Sequence, residues 1–162
     1  MNYWLMKSEP SVYSIWDLQR EGQTLWDGVR NYQARNYLKA MQPGDRAFFY
    51  HSNADPPGIA GLMQIVETQV VDPSQFDATS PYYDPKSRPG DPRWYTVRVE
   101  FVAVLERFLS LAELREIFSS EELEVVRRGT RLSVVPVSQE VAERVLALTT
   151  ASAGLYGDIK KR

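Results

Sequence analysis

The segment WYTVRVEFVAVL, residues 94–105, constrains the fold of this chain most, because apolar and polar residues alternate along it. The apolar set is Val97, Val99, Phe101 and Ala103, and the polar set is Thr96, Arg98 and Glu100. A period of two predicts a β-strand with one face in a core and one polar face. Trp94 has the parity of the polar face. Its ring is therefore expected either to form the wall of a crevice or to be covered by the preceding loop.

Further strands are predicted where short apolar runs lie between turn residues. These runs are NYWLMKS, RAFFYHS, GIAGLMQIVETQVV and RLSVVPV. RAFFYHS carries aromatic residues on both faces, which is typical of a central, buried strand. The glycines of the long run GIAGLMQIVETQVV indicate a bend or a bulge.

Helices are predicted from N-caps and from apolar residues at helical spacing. Ser14 caps the first and Asn31 the second, whose apolar stripe is Ala34, Tyr37, Leu38 and Met41. Ser110 and Glu113 form a capping box for a third helix. A last helix is predicted from about residue 138 to 148, with Val141, Val145 and Leu148 inward, and the tail GDIKKR is expected to fray.

Strands outnumber helices and do not alternate with them, and no repeat or linker divides the chain. The prediction is one α+β domain over residues 1–162, with a mixed sheet that could curl into a barrel.

Composition excludes several classes of site. The 162 residues include no cysteine and one histidine, which excludes thiolate zinc sites, disulfides and a cysteine nucleophile. No phosphate-binding loop or catalytic triad signature is present, so neither a metal nor a cofactor is expected. The net charge of −2 argues against binding nucleic acid by bulk electrostatics, so any such role needs a local site. The sequence has no signal peptide and no apolar run of membrane-spanning length, so we expect the protein in the cytoplasm, or in the nucleus of a eukaryote. We expect it to be a monomer.

The stretch LWDGVRNYQARNYL places Trp26 and a charged turn directly before a helix. The free N–H groups at a helix start bind an anion or a carbonyl oxygen, and Arg30 or Arg35 would reinforce that site. A flat ring beside such donors suits a planar heteroaromatic ligand. Trp26 could instead be a hydrophobic staple on the helix.

Residues 72–93 form the main irregular segment and are rich in Pro, Asp, Ser and Tyr. A loop of this length is usually functional or mobile. Because prolines brace it, we expect it to border one cleft together with the end of the first strand.

Two polar features are given ordinary roles. His51 has no orienting partner nearby in the sequence and is interpreted as a structural or ligand-contacting histidine. The basic run VRRGTR, residues 126–131, is interpreted as a solvated turn rather than a nucleic-acid contact.

Seven stretches, in order from Tyr3 to about Ser138, together resemble the EVE domain family. They are YWLMKSEP, WDGVRNYQARNYL, GDRAFFYHSN, PPGIAGLMQIV, YYDPKS, PRWYTVRVEF and RLSVVPVS. The resemblance implies a PUA-like fold, a distorted β-barrel of mixed strands flanked by helices and related to YTH and ASCH domains. It also implies a non-catalytic reader of a modified base, such as a modified cytosine, in DNA or RNA.

By the same resemblance, a base-binding pocket is assigned to Lys7, Ser8, Glu9, Trp26, Asn31, Tyr50, His51, Ser52 and Trp94. Trp26 and Trp94 would be the cage rings, and the polar residues would contact the base edge. Phosphate or rim contacts are assigned to Arg30, Arg35, Lys86 and Arg93.

Two other functions stay open from the sequence. One is a small hydrolase acting on a modified nucleoside, as in the related ASCH fold, with Lys7, Glu9 and His51 as acid–base candidates. The other is an interaction module whose pocket is vestigial. A bound base without turnover favours the reader, and a pH-dependent product that disappears in Lys7→Ala favours the enzyme.

Overall fold

A computed structural model of the chain describes residues 1–156, so the predicted fraying of GDIKKR lies outside the described residues. Six strands lie within them: β1 (Tyr3–Ser8), β2 (Gln23–Leu25), β3 (Arg46–His51), β4 (Gly58–Val71), β5 (Tyr95–Ser110) and β6 (Val134–Val137). The helices there are α1 (Ile15–Glu21), α2 (Tyr32–Ala40), α3 (Leu111–Ile117) and α4 (Gln139–Tyr156), with short 3₁₀ turns at Pro73–Phe76 and Glu124–Val126.

The strands form one mixed sheet in the order β2-β5-β4-β3-β1-β6. β1 and β3 pair in parallel, and the other ladders are antiparallel. The predicted α+β class and mixed sheet are confirmed. Between residues 1 and 156 no ladder joins β2 to β6, so the hydrogen-bonded sheet is open.

The two central strands bury side chains on both faces, as the pattern RAFFYHS predicts. Phe48 and Phe49 point to opposite faces, so they enter different hydrophobic clusters. The cluster around Phe49 includes the buried residues of α1 and α2, and the cluster around Phe48 includes those of α3 and α4. Helices therefore cover both faces of the sheet, which agrees with the expectation of strands flanked by helices.

The predicted helix caps are confirmed. The Asn31 side chain accepts a hydrogen bond from Ala34 N at 2.9 Å, and Ser14 and Ser110 each form a capping box. The last helix extends beyond its predicted end, to Tyr156. A predicted bulge is also confirmed, since the β4–β5 register shifts between Ile59 and Gly61.

Candidate functional site

A cavity of about 610 Å³ opens where β1 and β3 end side by side. Because these two strands are parallel and Ser8 pairs with His51, the segments that follow them leave the sheet at the same edge. The volume is typical of a pocket for a small ligand. Its lining consists of residues 7–9, 12–13 and 24–30 with Ser52, Tyr82, Arg131 and Ser133.

Trp26 lies at the boundary between this cavity and the core. Trp26 is one of the lining residues but is only 7% exposed, and its ring packs edge-on against Phe49 with centroids 5.2 Å apart. The backbone N–H of Trp26 donates to the Val97 carbonyl at 3.0 Å, and the backbone carbonyl of Trp26 accepts a hydrogen bond from the Thr96 hydroxyl. Trp26 is therefore a core residue that borders the cavity, and its role as a ligand wall stays a prediction.

The turn after Trp26 is tied to the 72–93 loop through Asp72. Gly28 N donates to an Asp72 oxygen at 2.9 Å, and Arg30 donates to the same oxygen at 3.0 Å. Burial alone would raise the pKa of Asp72, but hydrogen bonds from Ser74, Gly28 and Arg30 outweigh it and lower that pKa. This network fixes the turn against the loop.

Arg30 also positions a ring of the cavity. Its guanidinium donates to the Tyr82 carbonyl from Nε at 3.0 Å and from Nη2 at 2.8 Å. The Tyr82 ring packs so closely on Gly28 that a Cβ there would lie 2.7 Å from it, and the φ of Gly28 is +88°. The predicted cleft between the loop and the end of β1 is thus confirmed, because Tyr82 lines the same cavity as Lys7.

Trp94 does not line the cavity, which corrects its assignment as the second cage ring. The ring is 6% exposed, stacks on Tyr32 at 4.9 Å and donates from Nε1 to Asp84 at 2.7 Å. The ring is kept out of the cavity because Asp84 of the 72–93 loop binds its indole N–H and Tyr32 covers its face. The buried Gln75 amide donates to the Trp94 carbonyl at 2.8 Å and accepts from Trp94 N at 3.2 Å, which holds the loop over the strand.

Polar groups from three segments meet across the cavity. Lys7 and Ser8 end β1 and Glu9 follows it, Ser52 follows β3, and Asp27 follows Trp26. The Ser8 hydroxyl donates to the Tyr13 carbonyl at 2.6 Å and so fixes the turn that carries a second aromatic wall. The lining therefore offers carboxylate acceptors and ammonium and hydroxyl donors around aromatic rings.

Two of these groups have shifted pKa values. Desolvation lowers the pKa of Lys7, although attraction to Glu124 opposes the shift. Desolvation by the surrounding walls, followed by repulsion from the Asp72 carboxylate, raises the pKa of Asp27. Shifts of this kind in a cavity are typical of functional groups.

His51 and Asn31, both assigned to the base pocket, have structural roles here. His51 is 4% exposed, and its Nε2 accepts a hydrogen bond from Ile15 N at 3.1 Å, so it stabilises the start of α1. Asn31 caps α2, and Arg30 binds Asp72, so the expected anion site at that helix start is already satisfied. Tyr50 lines a smaller adjoining recess instead of the main cavity.

The remaining predicted rim residues also lie outside the cavity lining. Arg35 donates to the Arg93 carbonyl at 2.9 Å and covers the Tyr32 ring at 4.7 Å. Arg93 lies 3.9 Å from the Asp84 carboxylate, whose other oxygen accepts a hydrogen bond from Lys86 N at 3.0 Å. Arg35 and Arg93 therefore contact the segment around Trp94, and Lys86 contributes a backbone N–H to the same loop.

Of the predicted site residues, six reach the cavity: Lys7, Ser8, Glu9, Trp26, Arg30 and Ser52. The sequence reasoning missed Tyr13, Asp27, Tyr82, Arg131 and Ser133. Asp27 had a signal, because it lies in the polar turn next to Trp26. Arg131 lies in VRRGTR, which is an exposed turn, as interpreted from the sequence, but one that also borders the cavity.

No cluster of three or more His, Asp or Glu side chains within residues 1–156 is arranged to hold a metal ion. None of the helices in that range is both long and apolar enough to cross a bilayer.

A mixed sheet flanked by helices, with an aromatic and polar cavity at the shared end of two parallel strands, defines a small α+β ligand-binding domain. The sequence model of the EVE domain family matches residues 2–148. The chain therefore belongs to the EVE domain family, as its motifs predict.

Similar proteins include thymocyte nuclear protein 1 from Homo sapiens, 44% identical over 165 residues that cover 91% of this chain and 73% of that protein. A Pseudomonas syringae protein of known structure is 48% identical, with a TM-score of 0.87 over 91% of this chain and 99% of that one. The crystal structure of human THYN1 in complex with DNA containing 5-methylcytosine is 45% identical, with a TM-score of 0.85 over 92% of this chain and 98% of that one. A YTH domain with 13% identity and a TM-score of 0.53 over 98% of this chain shares the fold, in line with the PUA-like expectation.

Proposed function

We propose that this domain is a non-catalytic reader that binds a modified cytosine, flipped out of a nucleic-acid strand, in the 610 Å³ cavity. The observation that carries the proposal is the combination of an aromatic wall at Trp26 with carboxylate acceptors at Glu9 and Asp27. The human relative whose structure contains 5-methylcytosine DNA supports the choice of ligand.

The cavity chemistry matches the parts of a cytosine ring. A flat base stacks on Trp26 or Tyr82, which stabilises binding by about 1–3 kcal/mol per base. The exocyclic amino group is a donor and needs an acceptor such as Asp27 or Glu9. The O2 and N3 atoms need donors, which Lys7 and Ser52 can supply.

A 5-methyl group needs an apolar contact. Val12, Leu25 and Val29 lie in the same lining, so a methyl group has apolar neighbours there. Extruding a base from a duplex costs a few kcal/mol of unstacking, and less from a single strand. Binding to single strands or mismatched sites is therefore expected to be tighter than binding to a perfect duplex.

The position of His51 favours a reader over a hydrolase. A general base has to reach the substrate, whereas His51 is buried outside the lining and its Nε2 already accepts a backbone hydrogen bond. Of the acid–base candidates for the hydrolase, Lys7 and Glu9 remain in the cavity, where they are proposed to contact the base edge.

The test is a comparison of oligonucleotides that differ at one cytosine: unmodified, 5-methyl and 5-hydroxymethyl, as DNA and as RNA. We expect wild-type protein to prefer a modified cytosine, and Asp27→Asn to weaken binding by about tenfold through loss of a charged acceptor. Equal affinity for modified and unmodified strands would contradict the proposal. So would release of a new product from the oligonucleotide by wild-type protein but not by Lys7→Ala.

A further inference from the structure

A second recess of about 220 Å³ adjoins the base cavity and shares Lys7 and Ser52 with it. Tyr50, Pro57, Leu111 and Val125 give it apolar walls. Its charged lining consists of Lys7, Arg115 and Arg127 and includes no carboxylate. In a chain with a net charge of −2, this is a local concentration of positive charge.

The neighbouring carboxylate does not neutralise these cations. Glu124 lies 3.5 Å from Arg127 Nε, accepts a hydrogen bond from the Thr130 hydroxyl at 2.9 Å and also attracts Lys7, so a single carboxylate is shared among three cations. Arg115 donates from Nε to the Val126 carbonyl at 3.1 Å. Among the described residues its terminal nitrogens have no hydrogen-bond partner, so they can bind an anion.

Lys7 links the two recesses. Lys7 is half-buried, and its ammonium lies 6.0 Å from the centre of the Tyr50 ring. Glu124 attracts it, but among the described residues no carboxylate lies within salt-bridge distance of it. A desolvated cation without a paired anion binds an incoming anion favourably, because the desolvation is already present before binding. Desolvation also lowers the pKa of Lys7, in agreement with this geometry.

The turn at Gly129 explains how VRRGTR supplies both recesses. Gly129 has a φ of +78°, a left-handed conformation that glycine adopts readily. Arg127 lines the second recess and Arg131 lines the base cavity, whereas Arg128 lines neither. The run is therefore divided between two sites.

We propose that the recess of Lys7, Arg115 and Arg127 binds a phosphate group joined to the nucleoside whose base occupies the cavity. This inference rests on the proposed function and adds the backbone contact to it. The planar guanidinium has the donor geometry that suits phosphate oxygens, and a phosphate contact positions the strand without reading its sequence. The phosphate belongs either to the internal backbone of a strand or to the end of a nucleotide.

The test compares Arg127→Ala with Arg128→Ala, its matched control in the same loop. Arg127 has a 58% exposed side chain, so both variants are expected to melt as wild type does. The ligand is a single-stranded oligonucleotide containing one 5-methylcytosine, and we expect Arg127→Ala to weaken its binding about three- to tenfold. The salt slope, which is the slope of log K against the logarithm of the salt concentration, should decrease in magnitude by about one unit. Arg128→Ala is expected to match wild type. Equal salt slopes and affinities for the two variants would overturn the proposal.

The source of the phosphate is determined by competition with 5-methyldeoxycytidine, its 5′-monophosphate and a trinucleotide centred on the same base. If the monophosphate binds more tightly than the nucleoside, and Arg127→Ala abolishes this difference in affinity, the recess binds a terminal phosphate. A gain only in the trinucleotide, lost when its bridging phosphates are replaced by neutral methylphosphonates, supports the backbone. If neither the monophosphate nor the trinucleotide binds more tightly than the nucleoside, the proposal that the recess binds phosphate is refuted.

Failure of this proposal is distinguishable from failure of the base-reading function. The base-reading function predicts a preference for the modified cytosine in wild-type protein, whatever Arg127→Ala does. The recess predicts the same change of salt slope on unmodified strands, because a backbone contact is independent of the base.

Discussion

Trp26 and Trp94 are almost equally buried, 7% and 6% exposed, yet only Trp26 lines the cavity. Both precede a regular element in a polar stretch of sequence. The difference arises from what covers each ring. Trp26 packs on Phe49 and still borders the cavity. The Trp94 ring is instead covered by Tyr32 and the Arg30 guanidinium, and its indole N–H is bound by Asp84 of the 72–93 loop. A tryptophan in a polar context thus indicates a ligand site only if neighbouring side chains leave it on a cavity.

The largest effect is expected from removing either ring. Trp26→Ala and Trp94→Ala should each lower the free energy of unfolding by about 3–5 kcal/mol, because both leave a large cavity. Only Trp26→Ala should also weaken binding by the molecules that stay folded, by roughly ten- to a hundredfold, because it removes a stacking ring. Chemical denaturation and oligonucleotide titration at low temperature measure the two effects. Equal loss of binding in both variants would contradict the distinction between the rings.

The second largest effect is expected from Asp72, which binds Arg30 and Gly28 and so joins the 72–93 loop to the turn after Trp26. Asp72→Asn should lower the free energy of unfolding by about 3 kcal/mol, because it breaks a pair whose Asp72 side chain is 2% exposed. It should also make residues 72–93 sensitive to protease. Glu67→Gln, which breaks an exposed pair with Arg98, is the control and should cost less than about 1 kcal/mol. Equal protease sensitivity in the two variants would contradict the role of Asp72.

The two neighbouring tyrosines of the loop give a third test. Tyr82 lines the cavity and Tyr83 is exposed outside the lining. Tyr82→Ala should weaken binding of the modified oligonucleotide by about 1–3 kcal/mol, roughly ten- to a hundredfold, through loss of a stacking ring. Tyr83→Ala should bind as wild type. If Tyr83→Ala weakens binding as much as Tyr82→Ala, the ligand lies on the outer face of the loop.

The smallest effect is a pH dependence of stability from His51. Burial lowers its pKa in the folded state, so the unfolded chain takes up the proton first. The neutral His51 side chain therefore contributes fully to the free energy of unfolding above the unfolded-state pKa of about 6.5. This contribution decreases as the pH falls below that value, by at most about 1.4 kcal/mol per pH unit. Denaturant midpoints between pH 7.5 and 5 measure this slope. His51→Gln retains an acceptor for Ile15 N and should remove the slope, and an unchanged slope would assign it to another group.

Features with a local cause were predictable from the sequence. Ser14, Asn31 and Ser110 cap helices because a side-chain oxygen reaches an N–H two or three residues away. The apolar alternation from Val97 to Val99 places those side chains in the core. The relation to a known family followed from motifs spread along the chain only once their resemblance was recognised. The strand order was not predicted, because strand pairing joins segments that are distant in the sequence.

Features that depend on distant contacts were not predictable. Trp94 is covered because Tyr32 of α2 stacks on its ring, while Gln75, 19 residues away, hydrogen-bonds to both of its backbone polar groups. No sequence period signals such contacts. Arg131 reaches the cavity because the chain turns at Gly129 before entering β6. In both cases the deciding interaction joins segments whose approach is set by the whole sheet.

The most direct test of the base-binding cavity is a nuclear Overhauser measurement on the complex. The oligonucleotide carries one 5-methylcytosine whose methyl group is labelled with ¹³C, so contacts of that methyl group alone are observed. We predict contacts from the methyl group to cavity side chains such as Val12, Trp26 and Tyr82, and none to Trp94. Contacts to Trp94 or to exposed Trp16 without any to Trp26 would contradict the account.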